Sequence, residues 1–252
     1  MGSPTQPPDD AEVELERIRR AYTRYSSDPA ELGRRDPGNA GLTALLREWR
    51  GRLAERLGER GLPQPDSRVL DIGCGDGTLL AWFVDLGVEP SNCTGVDLMP
   101  ERVERAASTL PEATFLCRDA ASLPFGDRSF DVVCLSLVLS SIVDARLAQR
   151  ICSEAARVLA EDGVLVWYDT RYPNPVNPDV RGVGQRAVKR LFPGFVVASE
   201  SISLLPPVAR RLTGSRVQLY PVLARFPPLR ARYLCLLQRR PSLGTGAGDA
   251  RR

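Results

Sequence analysis

The stretch Val69-Leu70-Asp71-Ile72-Gly73-Cys74-Gly75-Asp76-Gly77-Thr78 constrains this chain more than any other. Apolar residues run into an acid, three glycines alternate with other residues, and the apolar segment Leu79 to Val84 follows. That order predicts a buried strand, a tight turn and the start of a helix. Glycine accepts positive φ and leaves no Cβ between backbone and ligand, so the junction suits a binding loop. The spacing is Gly-x-Gly-x-Gly, not the Gly-x-Gly-x-x-Gly of a dinucleotide loop. A carboxylate at Asp71 would repel a pyrophosphate and attract the ammonium group of an amino-acid moiety.

Three further motifs follow in order. Cys93-Thr94-Gly95-Val96-Asp97-Leu98-Met99-Pro100 predicts a second strand ending in an acid, twenty residues after Gly77. A carboxylate there can take both hydroxyls of a ribose. Asp97 is the expected ribose ligand, with Leu98 and Met99 beside the base. Ala113 to Cys117 predicts a third strand running into Arg118-Asp119-Ala120, and Asp119 is placed to accept from an adenine amino group. Pro124-Phe125-Gly126-Asp127-Arg128-Ser129-Phe130-Asp131 then precedes the apolar run Val132 to Leu139. Together these motifs, over roughly residues 66 to 170, resemble class I S-adenosylmethionine (SAM) methyltransferases, in the UbiE-like branch that acts on many small metabolites. The resemblance implies SAM as cofactor. It implies that Asp71, Gly73, Cys74, Gly75 and Gly77 hold its amino-acid part. Asp97, Leu98, Met99, Asp119, Ala120 and Leu135 would hold its nucleoside. It says little about the acceptor.

The expected fold is α/β: a Rossmann-like, seven-stranded, mostly parallel sheet with helices on both faces, an N-terminal helical cap and a helical insertion before the last strand. Strands are expected near 68–72, 93–97, 113–117, 131–136, 163–169, 195–205 and 233–238, and helices near 77–86, 101–110 and 144–160, the last stopped by Gly163. Residues 1–11 and 241–252 read as disordered, 12–64 as the cap, and 65–240 as the SAM-binding domain, with 171–230 on the acceptor side. In the cap, Val13, Leu15, Ile18, Tyr22 and Tyr25 recur near helical spacing, and Leu42 to Leu57 carries a strong apolar stripe. By the resemblance, Tyr22 borders the cofactor and Tyr25 the acceptor; equally, both tyrosines could simply pack the helix on the core.

The acceptor side is expected after the fifth strand. Tyr168 and Asp169 stand at its end, and Thr170 to Gly182 offers Arg171, Tyr172, Asn174 and Asn177 on a proline-stiffened connection. Asp169 could act as a base or cap the loop's backbone. The chain has no histidine, so any base must be Asp, Glu, Tyr, Cys or the single lysine, Lys189. Arginines 210, 211, 216, 225, 230 and 232 concentrate near the C-terminus; a phosphate- or carboxylate-bearing substrate is one reading of them, and an ordinary solvated face is the expectation.

Thirty-four basic and 31 acidic residues leave a net charge of +3, without the basic footprint of a nucleic-acid binder. The six dispersed cysteines read as buried, reduced thiols, with no metal site. No segment is long and apolar enough to span a membrane, and Met1 to Asp10 lacks an apolar signal core. A cytoplasmic monomer or homodimer acting on a small-molecule acceptor is expected, with methyl transfer to O ahead of N or C. The alternatives are an RNA or protein methyltransferase, or a non-catalytic SAM-binding partner.

Overall fold

A computed structural model describes residues 10–28, 36, 38–174, 177 and 179–240. The expected disorder of the two ends falls on residues outside that set, apart from Asp10 and Ala11, which begin helix α1 (Asp10–Ser27). Helix α2 (Ala40–Gly58) is capped by the Asn39 side chain, which accepts from Leu42 N, and buries Leu45, Trp49, Leu53 and Leu57, one residue per turn.

The core then alternates β1 (Val69–Ile72), α3 (Thr78–Asp85), β2 (Cys93–Asp97), α4 (Pro100–Thr109), β3 (Thr114–Cys117), β4 (Phe130–Ser136), α5 (Ala145–Val158), β5 (Leu159–Thr170), α6 (Gln185–Leu191), β6 (Phe195–Leu204), α7 (Pro206–Ala209), α8 (Tyr220–Leu223) and β7 (Arg230–Arg239). The seven strands form one sheet in the order β3-β2-β1-β4-β5-β7-β6. The first five are mutually parallel, and β7 runs antiparallel to both of its neighbours. The expected α/β architecture is the observed one.

Strand alternation sorts the side chains into two cores. Leu70, Ile72, Leu165 and Trp167 pack with α1, α5 and α6 on one face. Val69, Val164, Val166 and Tyr168 pack with α2 and α3 on the other. Among the described residues, no helix is long and apolar enough to cross a membrane.

Several boundaries differ from expectation. Gly163 does not stop α5, because the chain enters β5 already at Leu159, which pairs with Phe130 across a register shift. A Cβ at Gly163 would stand 2.8 Å from Leu159 Cδ1 and 3.0 Å from Asp131 O, so the glycine serves a close approach within the sheet. In the insertion, Pro221 sits in the first turn of α8, where a missing N–H leaves nothing unpaired. Cys117 is exposed, unlike the other five thiols, because β3 is an edge strand. Arg230 and Arg232 turn inward instead of into solvent. Arg230 donates to Ala224 O and Ser201 O, and Arg232 to the Tyr168 hydroxyl.

Candidate functional site

Gly73, Gly75 and Gly77 have φ of +74°, +56° and +76°. The turn is anchored to the next strand, since Gly73 N and Cys74 N both donate to Val96 O. A Cβ on Gly73 would meet Val138 Cγ2 at 2.6 Å, and one on Gly75 would meet Arg102 Nη2 at 2.9 Å. The turn therefore has no room for Cβ atoms, because Val138 and Arg102 pack directly over its glycines. Cys74 lies beneath it, its thiol pushed up by burial and by the nearby Asp71 and Asp97 carboxylates.

Two acids face this turn. Asp97, at the end of β2, accepts from Gly75 N and from Met99 N, each at 2.9 Å. Asp71 lies within β1 and is 2 % exposed. Its Oδ1 is buried without a hydrogen-bond partner, and burial, then the charge of Asp97, pushes its carboxyl up to about 8. An unpaired buried acid of this kind is costly unless a cation or donor joins it.

Arg102, from the first turn of α4, stands over the same place. Its Nη1 is 3.7 Å from Asp97 Oδ2, its Nε 3.7 Å from Asp76 Oδ1, and its guanidinium lies 5.0 Å from the centre of the Tyr22 ring. Tyr22 also meets Ser141 Oγ through its hydroxyl. Thus α1 reaches, through Tyr22, the arginine that stands over the glycine turn. Leu98 and Ala120 are half-buried against the same core, and Met99 is buried. Asp119 Oδ1 accepts from Ala121 N, and its other oxygen is 3.6 Å from Arg150. Leu135 is wholly inside the core, paired beside Ile72 and Trp167.

Residues 70–167 match the family model described as a methyltransferase domain. This segment is thus similar to the methyltransferase domains of that family. The chain is similar to a demethylmenaquinone methyltransferase of Beutenbergia cavernae, 36 % identical over 48 % of this chain and 46 % of that one. An O-methyltransferase of Penicillium expansum is 33 % identical over 50 % of this chain and 47 % of that one. The chain spans about half the length of the curated relatives it matches. Among solved structures, a SAM-dependent methyltransferase of Methanosarcina mazei has the same fold, with a TM-score of 0.53, 19 % identity, and coverage of 71 % of this chain and 95 % of that one. So has the cyclase SpnF, with a TM-score of 0.54, 20 % identity, and coverage of 75 % and 80 %.

SAM is the cofactor of such a domain, and the residues present fit it. A cationic amino acid, such as SAM carries, would give the orphaned Asp71 Oδ1 the partner it lacks.

After β5, where the acceptor is expected, the predicted residues separate. Tyr168 points to the α2 face, stacked on Trp49 with ring centres 4.4 Å apart and its hydroxyl on Ser203 Oγ and Arg232. It is a core residue there, and the expected catalytic role has no geometry behind it. Asp169, one residue on, points to the opposite face and is wholly buried. Its Oδ2 accepts from Ser140 N and its Oδ1 from Thr170 N, which is the loop-capping alternative. Burial pushes its carboxyl up to about 6 against these bonds.

Tyr25 and Asn177 meet, the phenol donating to Asn177 Oδ1 at 2.8 Å. Tyr25 is buried and reaches Asp179 as well. Arg171 and Tyr172 donate instead to Pro227 O and Pro228 O, in the turn before β7. Asn174 N donates to Val180 O, closing the connection on itself. Sequence reasoning missed Arg102, Val138, Ser140 and Ser141. The run after β4 was read only as an apolar strand end, and the spacing from Asp97 to Arg102 was the one available signal for the arginine.

Proposed function

We propose that the chain transfers the methyl group of SAM to a hydroxyl oxygen of a small-molecule acceptor in a biosynthetic pathway, by direct displacement. The observation that carries this reading is Asp71 Oδ1, a buried acceptor without a partner beside a glycine turn and a second acid. SAM supplies an electrophilic methyl carbon on a positively charged sulfur, so no metal is called for. The protein's part is to hold the acceptor in line and exclude water, and such positioning is worth roughly 7–11 kcal/mol.

In this reading Asp71 and the Gly73 to Gly77 turn hold the amino-acid part. Asp97 takes the ribose hydroxyls, Asp119 the adenine amino group, and Met99, Leu98 and Ala120 form the apolar surround, while Leu135 stays in the core behind them. Tyr22 covers the cofactor from the cap, residues 12–64. The acceptor enters over residues 171–230, where Tyr25, Asn177, Arg171, Tyr172 and Asn174 shape the wall. Asp169 holds the turn after β4, at Ser140, in place for it.

A second reading is methylation at carbon. The similarity to a ubiquinone/menaquinone biosynthesis C-methyltransferase favours it.

Calorimetric titration with SAM, S-adenosylhomocysteine and NAD tests the cofactor assignment, and binding of NAD alone would sink it. A methyl-labelled transfer screen over hydroxylated small molecules then tests the reaction. Label attached to oxygen supports the first reading, label on carbon the second, and tight SAM binding without transfer a non-catalytic role.

A further inference from the structure

From Ser201 to Arg240 the sequence has eight arginines and no aspartate or glutamate, in a chain whose whole net charge is +3. Most of this stretch is the connection between β6 and β7. Its inner side is accounted for, since Tyr220, Ala224, Ala209 and Leu212 make a small core with Leu45 of α2. Its outer side is not. Leu219, Val222 and Phe226 are 51 %, 53 % and 57 % exposed, at a spacing that puts them on one side of the turns around α8. Arg211, Arg216 and Arg225 are exposed among them, and none forms an ion pair among the described residues.

The place of this face matters. Thr170 pairs with Arg232 and Leu204 with Arg230, so the β6–β7 connection lies at the edge of the sheet where β5 ends. Strand β5 is parallel to β4, and β4 to β1, so this is also the edge that carries the glycine turn. Arg171 and Tyr172 join the two regions through Pro227 and Pro228.

We propose that this face is a docking surface for an anionic lipid bilayer. Leu219, Val222 and Phe226 enter the boundary between headgroups and acyl chains, and Arg211, Arg216 and Arg225 meet the lipid phosphates. Charge selects this occupant. A second copy in a two-fold contact would set arginine against arginine. A free phosphate would leave the apolar side chains uncovered, and a single-stranded nucleic acid, stacking on Phe226 and Tyr172, would leave Leu219 and Val222 uncovered. Docking here turns the cofactor edge of the sheet toward the membrane.

The test uses the full chain and sedimentation with vesicles of phosphatidylcholine alone or with one third phosphatidylglycerol. Two variants are compared: Leu219→Ser/Val222→Ser/Phe226→Ser, and Arg211→Gln/Arg216→Gln/Arg225→Gln. Calorimetric SAM affinity equal to that of the parent shows that each is folded, and the arginine variant serves if the apolar one is not. The expected result is partition onto the anionic vesicles, weakened about tenfold or more by either set of substitutions and weakened by added salt. Absence of partition onto the anionic vesicles would overturn the proposal, as would equal partition onto neutral ones or partition unchanged in the variants. RNA binding or dimer formation lost in the variants, without vesicle binding, would overturn it in favour of those partners. A protein that binds vesicles but not SAM would uphold the docking surface while refuting the proposed function.

Discussion

Asp97 Oδ2 accepts the backbone N–H of Gly75 at 2.9 Å, tying the acid at the end of one strand to the glycine turn at the end of the next. The acid therefore shapes the turn as well as facing it. Asp97→Ala is expected to weaken SAM binding by roughly 1.5–3 kcal/mol, the range for a hydrogen bond to a charged group. Calorimetry of the variant checks this, and unchanged affinity would remove the ribose assignment.

Gly73→Ala is expected to cost stability twice over. The left-handed backbone at φ +74° penalises any Cβ by roughly 1–2 kcal/mol, and that Cβ would also meet Val138 Cγ2 at 2.6 Å. Adding Val138→Ala should recover the steric part and leave the backbone part. A double-mutant cycle of thermal unfolding measures the coupling, and strict additivity would refute the contact.

The proton on Asp71 makes a prediction about pH. Its folded carboxyl titrates near 8 and its unfolded one near 3.8, so over that interval the folded state holds a proton that unfolding releases. Stability is then lost as pH rises from about 4 to about 8, and is flat above that range. Asp169, at about 6, adds to the fall only in the lower part. Asp71→Asn should abolish the slope between pH 6 and 8 in denaturant titrations, and a slope that persists there would reassign it.

Asp169 is expected to position the turn after β4 and not to act as a base. Its two oxygens accept from Ser140 N and Thr170 N, and Asn in its place cannot serve both donors. Asp169→Asn should lower the melting temperature and reduce turnover by the same factor at every pH. A ratio of parent to variant rates that climbs through pH 6 would show base catalysis instead.

Asp179 gathers Arg17, Arg24 and Tyr25 from one side of α1. Partly exposed ion pairs contribute little to global stability, so Asp179→Ala should leave the melting temperature nearly unchanged while speeding amide exchange in residues 10–27. Unaltered exchange would mean that the Ile18 contacts and the Tyr22–Ser141 and Tyr25–Asn177 hydrogen bonds hold the helix down without it.

What could be read from the chain by itself was whatever depends on neighbours in sequence. The glycine turn, the strand alternation that buries Leu70 and Ile72 on one face and Val69 on the other, and the helical stripe of α2 are local patterns with fixed periods, and the sheet follows from stringing them in βα order. The acids at 71 and 97 were legible because each lies at or one residue before the end of a predicted strand. Tertiary structure decided the rest. Tyr168 and Asp169 share a strand end in sequence, yet the two-residue period of β5 sends one to Trp49 and the other to Ser140. Arg102 over Gly75, Val138 over Gly73 and Asp179 beneath α1 join residues 27, 65 and more than 150 positions apart. No periodicity encodes such distances. They follow only when the helices pack on the sheet and each side chain finds the partner its burial demands.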